Sequence, residues 1–335
     1  MLNQKQIVEA LLKPETYDED AGNIELVQTH ISFIFLAKNL VYKVKKAVDF
    51  GFLDFTTLEK RRFFCEKELE LNRRLCRDMY LEVVPINKAG AIRIKGKGET
   101  IEYAVKMKRM PQDSMLSRLL EENKVDTQLV DRVAKIIADF HAKAESNSQT
   151  SKYGSLASIG TNWKENFEQT GEYTGKTISA EEFKLICEKV NFFMEENVAL
   201  FEKRISEGRI RDCHGDIHSD NIFVADQIYI FDAIEFNERF RYCDVAADIA
   251  FLSMDLDFKG RTDLSDFFIE KYVAYSNDRE LLRLLQFYKC YRAYVRGKVI
   301  SFRLNDPNVR SNKKHAVQEE AKAYFKLATS YAKEL

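Results

Sequence analysis

Histidine is scarce in this sequence, with five in 335 residues, and proline scarcer still, with four. Its six cysteines, Cys65, Cys76, Cys187, Cys213, Cys243 and Cys290, form no C-x-x-C pair. That scatter excludes a zinc ribbon or a disulfide framework and predicts free thiols in a reducing, cytoplasmic setting. The opening "MLNQKQIVEALLKPETY" lacks a basic segment followed by an apolar run, so no signal peptide is expected. No window has the apolar length of a membrane span, and no internal repeat or low-complexity tract is present. Net charge is −1, which gives no global pull toward nucleic acid or an anionic membrane. A local basic excess over residues 38–77 reads as a solvated helix face. Neither nucleic acid nor a membrane is expected as a partner; oligomeric state is left open.

A chain of this length predicts one large or two medium lobes. Residues 1–13 read as a short amphipathic helix. "THISFIFLAKNLVYKVKKAV" reads as two strands around a turn at Ala37-Lys38-Asn39. Thr56 and Glu59 fit a capping box opening a helix over 57–76. "YLEVVPI" and "GAIRIKGKGETIEYAVKMKRMP" supply further strands. After Pro111 the pattern turns helical: Val130, Val133, Ile136, Ile137 and Phe140 mark one amphipathic helix. Residues 146–178, with the single tryptophan Trp163, read as a loop or helical insertion, 180–207 as helix, and the chain beyond 244 as mostly helix. The fold class is α+β: a β-rich lobe over 1–110 with one long helix, and a larger, mainly helical lobe over 111–335.

The chemistry concentrates in "CHGDIHSDNIF", Cys213 to Phe223. A metal-dependent hydrolase could take His214, Asp216 and His218 as ligands at i, i+2 and i+4. A kinase loop would instead use Asp216 as base and Asn221 as metal ligand. "NIFV" and "IYIF" flank Ala225-Asp226-Gln227 as a small hairpin, and Asp232 follows it, which is where a kinase carries its second metal-binding aspartate. Oxygen donors such as Asn221 and Asp232 suit Mg²⁺. The remaining histidines, His30, His141 and His315, form no ligand cluster in the sequence, so the kinase reading is preferred. Ionisable groups at this density are costly to bury without a task.

"HGDIHSDN" resembles the H-G-D-x-H-x-x-N motif of the aminoglycoside phosphotransferase and choline-kinase-like superfamily. "FDAIEFNERFRYCDVAADIAFL" resembles the segment that follows it there, with Asp232, Asp244 and Asp248 on its three aspartates. "THISFIF", "GFLDFTTLEKRRFFCEKELELNRRL" and "YRAYVRGKVISFRLND" are similar to a bacterial aminoglycoside phosphotransferase-like family, some members of which add a P-loop domain. No G-x-x-x-x-G-K-[ST] occurs here, so the stand-alone form is expected. The resemblance implies a two-lobed protein-kinase-like fold with an ATP (or GTP) cleft and Mg²⁺. It also implies a strand lysine paired to a helix glutamate: Lys43 with Lys45 as alternative, and Glu68 with Glu66 and Glu70 as alternatives.

There are departures from the kinase pattern. No G-x-G-x-x-G covers the phosphates; Thr29, His30 and Ser32 occupy that turn and could cap phosphate. D-F-G is replaced by Asp232-Ala233-Ile234, which argues for an unregulated small-molecule kinase. Glu235 and Asn237 could assist the metal or cap that segment, the cap being preferred. His214 is expected to hold the loop, His218 to support it or touch substrate, and Asp244 and Asp248 to be structural, Asp248 as a brace. Adenine is expected near Met107–Met110. The acceptor, a small molecule bearing a hydroxyl, should meet residues 146–178 and the helices after 250. There Asp255 and Asp257 read as a solvated helix end, and Arg292 and Arg296 as one helical face. A nucleotide-binding pseudokinase is the alternative from a different functional class.

Overall fold

Residues 4–306 and 309–335 are described in the computed structural model. In chain order the helices are α1 (Gln4–Leu11), α2 (Leu58–Asn72), α3 (Leu116–Glu121), α4 (Thr127–Lys143), α5 (Ser148–Ser151), α6 (Leu156–Thr170), α7 (Ala180–Glu196), α8 (Val198–Ser206), α9 (Glu238–Arg241), α10 (Val245–Phe258), α11 (Thr262–Ser276), α12 (Leu282–Phe302) and α13 (Ser311–Ala332). The strands are β1 (Glu25–Gln28), β2 (Ser32–Leu36), β3 (Leu40–Lys45), β4 (Tyr80–Ala89), β5 (Ala91–Ile94), β6 (Glu99–Lys108), β7 (Ile210–Asp212), β8 (Ile222–Val224), β9 (Ile228–Ile230) and β10 (Tyr242–Asp244). The helix expected over 1–13 is found as α1; residues 1–3 lie outside the described residues.

The chain divides into two compact units, Met1–Leu119 with Asp220–Arg241, and Leu120–Ser219 with Tyr242–Leu335. The sequence reading placed one boundary near 110 and kept 111–335 together. Residues 220–241 instead join the first unit, because Phe223 and Tyr229 of the β8–β9 hairpin are buried with Val41, Cys65, Met79, Met107 and Met110.

The first unit is built on a six-stranded sheet in the order β1-β2-β3-β6-β4-β5, each neighbouring pair antiparallel. Strand side chains alternate between faces. Tyr42 and Val44 of β3 join Phe35, Ile86 and Ala104 in a cluster closed by Ile7 and Leu11 of α1. Val41 joins the other cluster, with Cys65 of α2. Lys43 and Lys45 share the parity of Val41, so both charges enter the α2 side of the sheet. The cap of α2 lies one residue beyond the expected Thr56: Thr57 accepts from Lys60 N at 3.2 Å, while the Thr56 hydroxyl donates to Asp54 at 2.6 Å.

In the second unit α10 is buried along Val245–Leu256 and packs on α11 and α12, α12 packs on α13, and α11 on α4. The close approach of α12 and α13 depends on Gly297, where a Cβ would meet the Phe325 ring at 3.1 Å. The stretch 146–178 is largely helical: α5 and α6. Trp163 on α6 is buried among Phe167, Phe287, Tyr291 and Tyr294, with ring centroids 5.2–6.0 Å away. It is part of the core. All six cysteines are free. Among the described residues no helix is long and apolar enough to cross a membrane.

Candidate functional site

In the first unit a single carboxylate receives two lysines. Glu68 Oε1 lies 2.8 Å from Lys43 Nζ, and its Oε2 lies 2.7 Å from Lys45 Nζ. Lys43 continues to Asp232 at 2.5 Å, and Lys45 to Glu235. The alternatives for the helix glutamate point elsewhere: Glu66 pairs with Arg62 and Glu70 with Lys67 on the outer face of α2. Burial acts to neutralise Lys43, Lys45, Glu68 and Glu235, but the opposite charges prevail on three of the four. They hold Glu68 down at about 2 and raise both lysines above their ordinary value, Lys43 through Asp232 and Glu68, Lys45 through Glu235 and Glu68. Glu235 is the exception. Burial and the neighbouring Glu68 push its carboxyl up despite Lys45. Glu235 is therefore a buried partner of Lys45, correcting its reading as a cap. Asn237 does cap, accepting from Arg239 N at 3.0 Å and donating to the Phe52 carbonyl at 2.9 Å.

The segment bearing Asp232 and Glu235 is fastened to α2. Asn72, one turn after Glu68, donates to the Glu68 carbonyl and accepts from Ala233 N, both at 2.9 Å. Asp232 itself has φ +65°, a left-handed conformation that aspartate and asparagine tolerate better than other side chains, and it keeps 41% of its side chain accessible. The Asn221 carbonyl accepts from Phe231 N at 3.0 Å, which pairs Asn221 across the hairpin with the residue preceding Asp232. A carboxamide and an accessible carboxylate on neighbouring strand ends are hard oxygen donors and fit Mg²⁺ chemically.

Met107 and Met110 are buried beside Val41 and Phe223. Ser32 is fully buried opposite Lys45 in the sheet, so its hydroxyl does not face a phosphate; Thr29 and His30 are the exposed residues of that turn.

In the second unit the loop from Cys213 to Ser219 is held at both ends by α10. Asp248 accepts from His214 N at 3.0 Å and Gly215 N at 2.8 Å, and Asp255 accepts from Ser219 N at 2.9 Å. Gly215 has φ +89°, a conformation that a side chain would strain. Its carbonyl accepts from Arg292, which also donates to the Ala247 carbonyl, each at 2.9 Å. Burial works against the Asp248 charge, but His141, His214 and Arg292 outweigh it and keep the carboxyl far below its usual range. His141 in turn lies 3.1 Å from Asp248 and 2.7 Å from the Tyr272 hydroxyl. Asp244 caps α10 and is gripped by Arg204 at 2.7 and 2.8 Å.

Asp216 projects from this braced loop with 32% of its side chain accessible, 3.5 Å from His218 Nε2. Its burial is outweighed by His218, Arg296 and His214, so its carboxyl is lowered and stays ionised at neutral pH. For His218, burial is outweighed by Asp216 and its pKa is raised. The His218 ring also packs on Phe251 of α10, at 5.1 Å between centroids. His214 is buried and turned back on the loop, its Nδ1 accepting from Asp216 N at 3.3 Å.

That inward turn disfavours His214, Asp216 and His218 as a ligand triad. Among the described residues, the set of three ligand-type side chains found within 4.8 Å of one another is His141, Cys213 and Asp248. There Asp248 is occupied by two backbone amides and His141, and burial raises the Cys213 thiol far above its ordinary value.

Sequence reasoning missed four supports: Lys45 as a second buried arm, and Asn72, Asp255 and Arg292 as clamps. Asp255 was legible in principle, since it follows Asp248 by seven residues, two turns along one helix face. Neither acid taken for a solvated helix end is solvated: Asp255 is buried, and the half-buried Asp257 meets Lys289 at 2.5 Å and the Tyr331 hydroxyl. Nothing in the spacing of Arg292 distinguished a loop brace from a binding residue.

No protein-family model matches the sequence. Over 281 residues, 84% of this chain, it is 34% identical to uncharacterized protein Rv2004c of Mycobacterium tuberculosis and, equally, to uncharacterized protein Mb2027c of Mycobacterium bovis. The chain spans 55% of the length of these relatives. Among solved structures it is similar to a choline/ethanolamine kinase family protein from Mesorhizobium loti, with a TM-score of 0.52, 12% identity and full coverage of both chains. A Plasmodium vivax ethanolamine kinase aligns with a TM-score of 0.50 and 14% identity over 91% of this chain and 81% of that one. The mixed α+β architecture, with its sheet-bearing first unit and helical second unit, is thus the protein-kinase-like fold seen in the choline and ethanolamine kinases.

Proposed function

We propose that this chain is a phosphotransferase that moves the γ-phosphoryl group of ATP or GTP to a hydroxyl of a small polar metabolite. The observation that carries the reading is the Lys43 ion pair set. One ammonium meets the helix carboxylate Glu68 at 2.8 Å and the post-hairpin carboxylate Asp232 at 2.5 Å, although Asp232 lies 189 residues away in sequence. A strand lysine, a helix glutamate and an aspartate after the hairpin form the set a kinase uses to hold nucleotide phosphates.

In this mechanism Asp216, ionised and braced through Gly215 and Ser219, orients the acceptor hydroxyl and takes its proton as the oxygen bonds to Pγ. The bond from Pγ to the bridging oxygen breaks, and its electron pair leaves with the nucleoside diphosphate. Lys43, positioned by Glu68, lies against the non-transferred phosphates. Lys45 and Glu235 fix Glu68 from behind. Mg²⁺, when bound, would be held by Asn221 and Asp232 and would neutralise phosphate charge. The chain's own part is mostly positioning and charge placement. Adenine would pack near Met107 and Met110. The fold shared with choline and ethanolamine kinases supports the reaction class.

The test is nucleoside diphosphate release from Mg²⁺-ATP and Mg²⁺-GTP across a panel of hydroxylated metabolites, with Asp216→Asn as control. Turnover should fall by roughly a hundredfold or more in the variant, as for loss of a positioned base, while nucleotide affinity stays unchanged. Nucleotide binding without turnover or slow hydrolysis in the wild type would instead make the chain a binding module.

A further inference from the structure

Arg296 differs from Arg61, Arg204 and Arg292 in what answers its charge. Arg61 is answered by Glu102 at 2.9 Å, Arg204 by Asp244 and Asp278, and Arg292 by two backbone carbonyls and by Asp248 at 3.9 Å. Arg296 is answered by an aromatic face: its guanidinium lies 5.5 Å from the Tyr324 ring on α13, and Phe258 stacks on that ring at 3.7 Å. Among the described residues no carboxylate pairs with it within 4.0 Å.

Its position follows from Arg292. Arg292 donates to the carbonyl of Gly215, the residue before Asp216, and its guanidinium lies 4.9 Å from the Phe251 ring that also carries His218. Arg296 is the next turn of α12 on the same face, about 6 Å farther along the helix. Its charge acts on both Asp216 and Asp255. A cation without a carboxylate partner therefore stands on the face of α12 that braces the loop of the proposed base.

The nearby acids offer no counterpart for an amine. Asp255 is engaged by Ser219 N, and Asp257 by Lys289 and Tyr331. A cationic acceptor at Asp216 would meet the Arg296 charge, and the acids nearby already hold partners within the fold. An oxyanion would find guanidinium N–H groups of matching geometry.

We infer that the acceptor carries a carboxylate or phosphate group, and that Arg296 binds this oxyanion while the acceptor hydroxyl lies at Asp216. The inference rests on the phosphotransferase reading. The same guanidinium could answer a phosphate of the nucleotide, and the experiment separates the two sources.

Wild type, Arg296→Ala and Arg296→Lys are compared with four probes of similar size: glycerol, ethanolamine, D-glycerate and glycerol 3-phosphate. Thermal shift without nucleotide reads acceptor-side binding, calorimetry reads Mg²⁺-ATP affinity, and ADP release reads turnover. The two anionic probes should shift the wild type more than glycerol or ethanolamine do. Arg296→Ala should weaken their binding at least ~30-fold, as for loss of one partner of a desolvated charge pair. Arg296→Lys, which keeps the charge and loses the fork, should fall between, and it carries the test if the alanine variant does not fold. Mg²⁺-ATP affinity should stay within about twofold, since acceptor anchoring is separate from nucleotide binding. Preference for ethanolamine, absence of any shift with the anionic probes, or a loss confined to Mg²⁺-ATP affinity each overturns the inference. A wild type that binds anionic probes through Arg296 but neither binds nor turns over nucleotide leaves the oxyanion site standing and removes the phosphotransferase reading.

Discussion

Asp248 and Asp255 stand two turns apart on one helix and hold opposite ends of one loop, Asp248 at His214 and Gly215, Asp255 at Ser219. The loop's geometry is thus set by α10, an otherwise apolar helix in which two buried carboxylates must be satisfied or be costly.

The two aspartates should respond differently to substitution. Asp248→Asn leaves His141 and Arg292 facing a neutral amide in a buried site and should cost about 3–5 kcal/mol. Asp255→Ala leaves Ser219 N–H buried without its acceptor and should cost about 1–3 kcal/mol, whereas Asp255→Asn, which keeps an acceptor oxygen, should cost less. Urea unfolding of the three variants checks the order; equal costs for Asp255→Ala and Asp255→Asn would show that the Ser219 contact is not the source.

Lys43 and Lys45 share Glu68 but should separate by phenotype. Lys45 is wholly enclosed between Glu68 and Glu235. Lys45→Met strands Glu235 in a buried site and leaves Glu68 with Lys43 alone, and should destabilise the fold by roughly 3–5 kcal/mol. Lys43→Met leaves Glu68 with Lys45 and Asp232 with its accessible face, so it should cost less stability and more nucleotide affinity. Paired unfolding and calorimetry decide it. A Lys43 variant with unchanged ATP affinity would transfer the phosphate role to another cation.

Asp232→Asn preserves a side chain that tolerates the left-handed backbone while removing the charge. Mg²⁺-dependent ATP affinity should drop about tenfold or more, in the range of an outer or inner ligand lost from a metal site. Metal-free nucleotide binding should change little. Calorimetry with and without Mg²⁺ reads both, and equal affinities in variant and wild type would exclude Asp232 as a ligand.

His218 gives a pH signature. Its pKa is raised above the ordinary value near 6.5, because Asp216 outweighs burial. The stabilisation from this pair is therefore complete below about pH 6.5 and is lost as pH rises through the folded-state value. The His218 ring protons, assigned by their absence in His218→Asn, should titrate above 6.5, and the midpoint should drop in Asp216→Asn. A wild-type midpoint below 6.5 would mean that burial dominates.

Much of this arrangement was legible because local chemistry and periodicity agree. The alternation of β3 puts Lys43 and Lys45 on one face, and the hairpin "NIFVADQIYIF" ends where Asp232 begins. What escaped depends on contacts remote in sequence. Glu235 pairs with Lys45 across 190 residues, and Arg292 reaches Gly215 across 77. A paired acid such as Asp257 is indistinguishable in sequence from a solvated one until Lys289 and Tyr331 are folded against it. Ser32 failed for the same reason, since the strand register that buries it is set by β3.

The return of residues 220–241 to the first unit also governs how the chain can acquire its structure. When the first 119 residues have been synthesised, Val41, Cys65 and Met107 still lack Phe223 and Tyr229, and Asn72 still lacks Ala233. The cluster on the α1 side lies wholly within residues 7–104, but the cluster on the α2 side waits for about a hundred residues of the second unit before its hairpin is made. A fragment ending at Leu119 should therefore aggregate or stay partly open, and co-expression with the remainder of the chain should rescue it only if the hairpin is included.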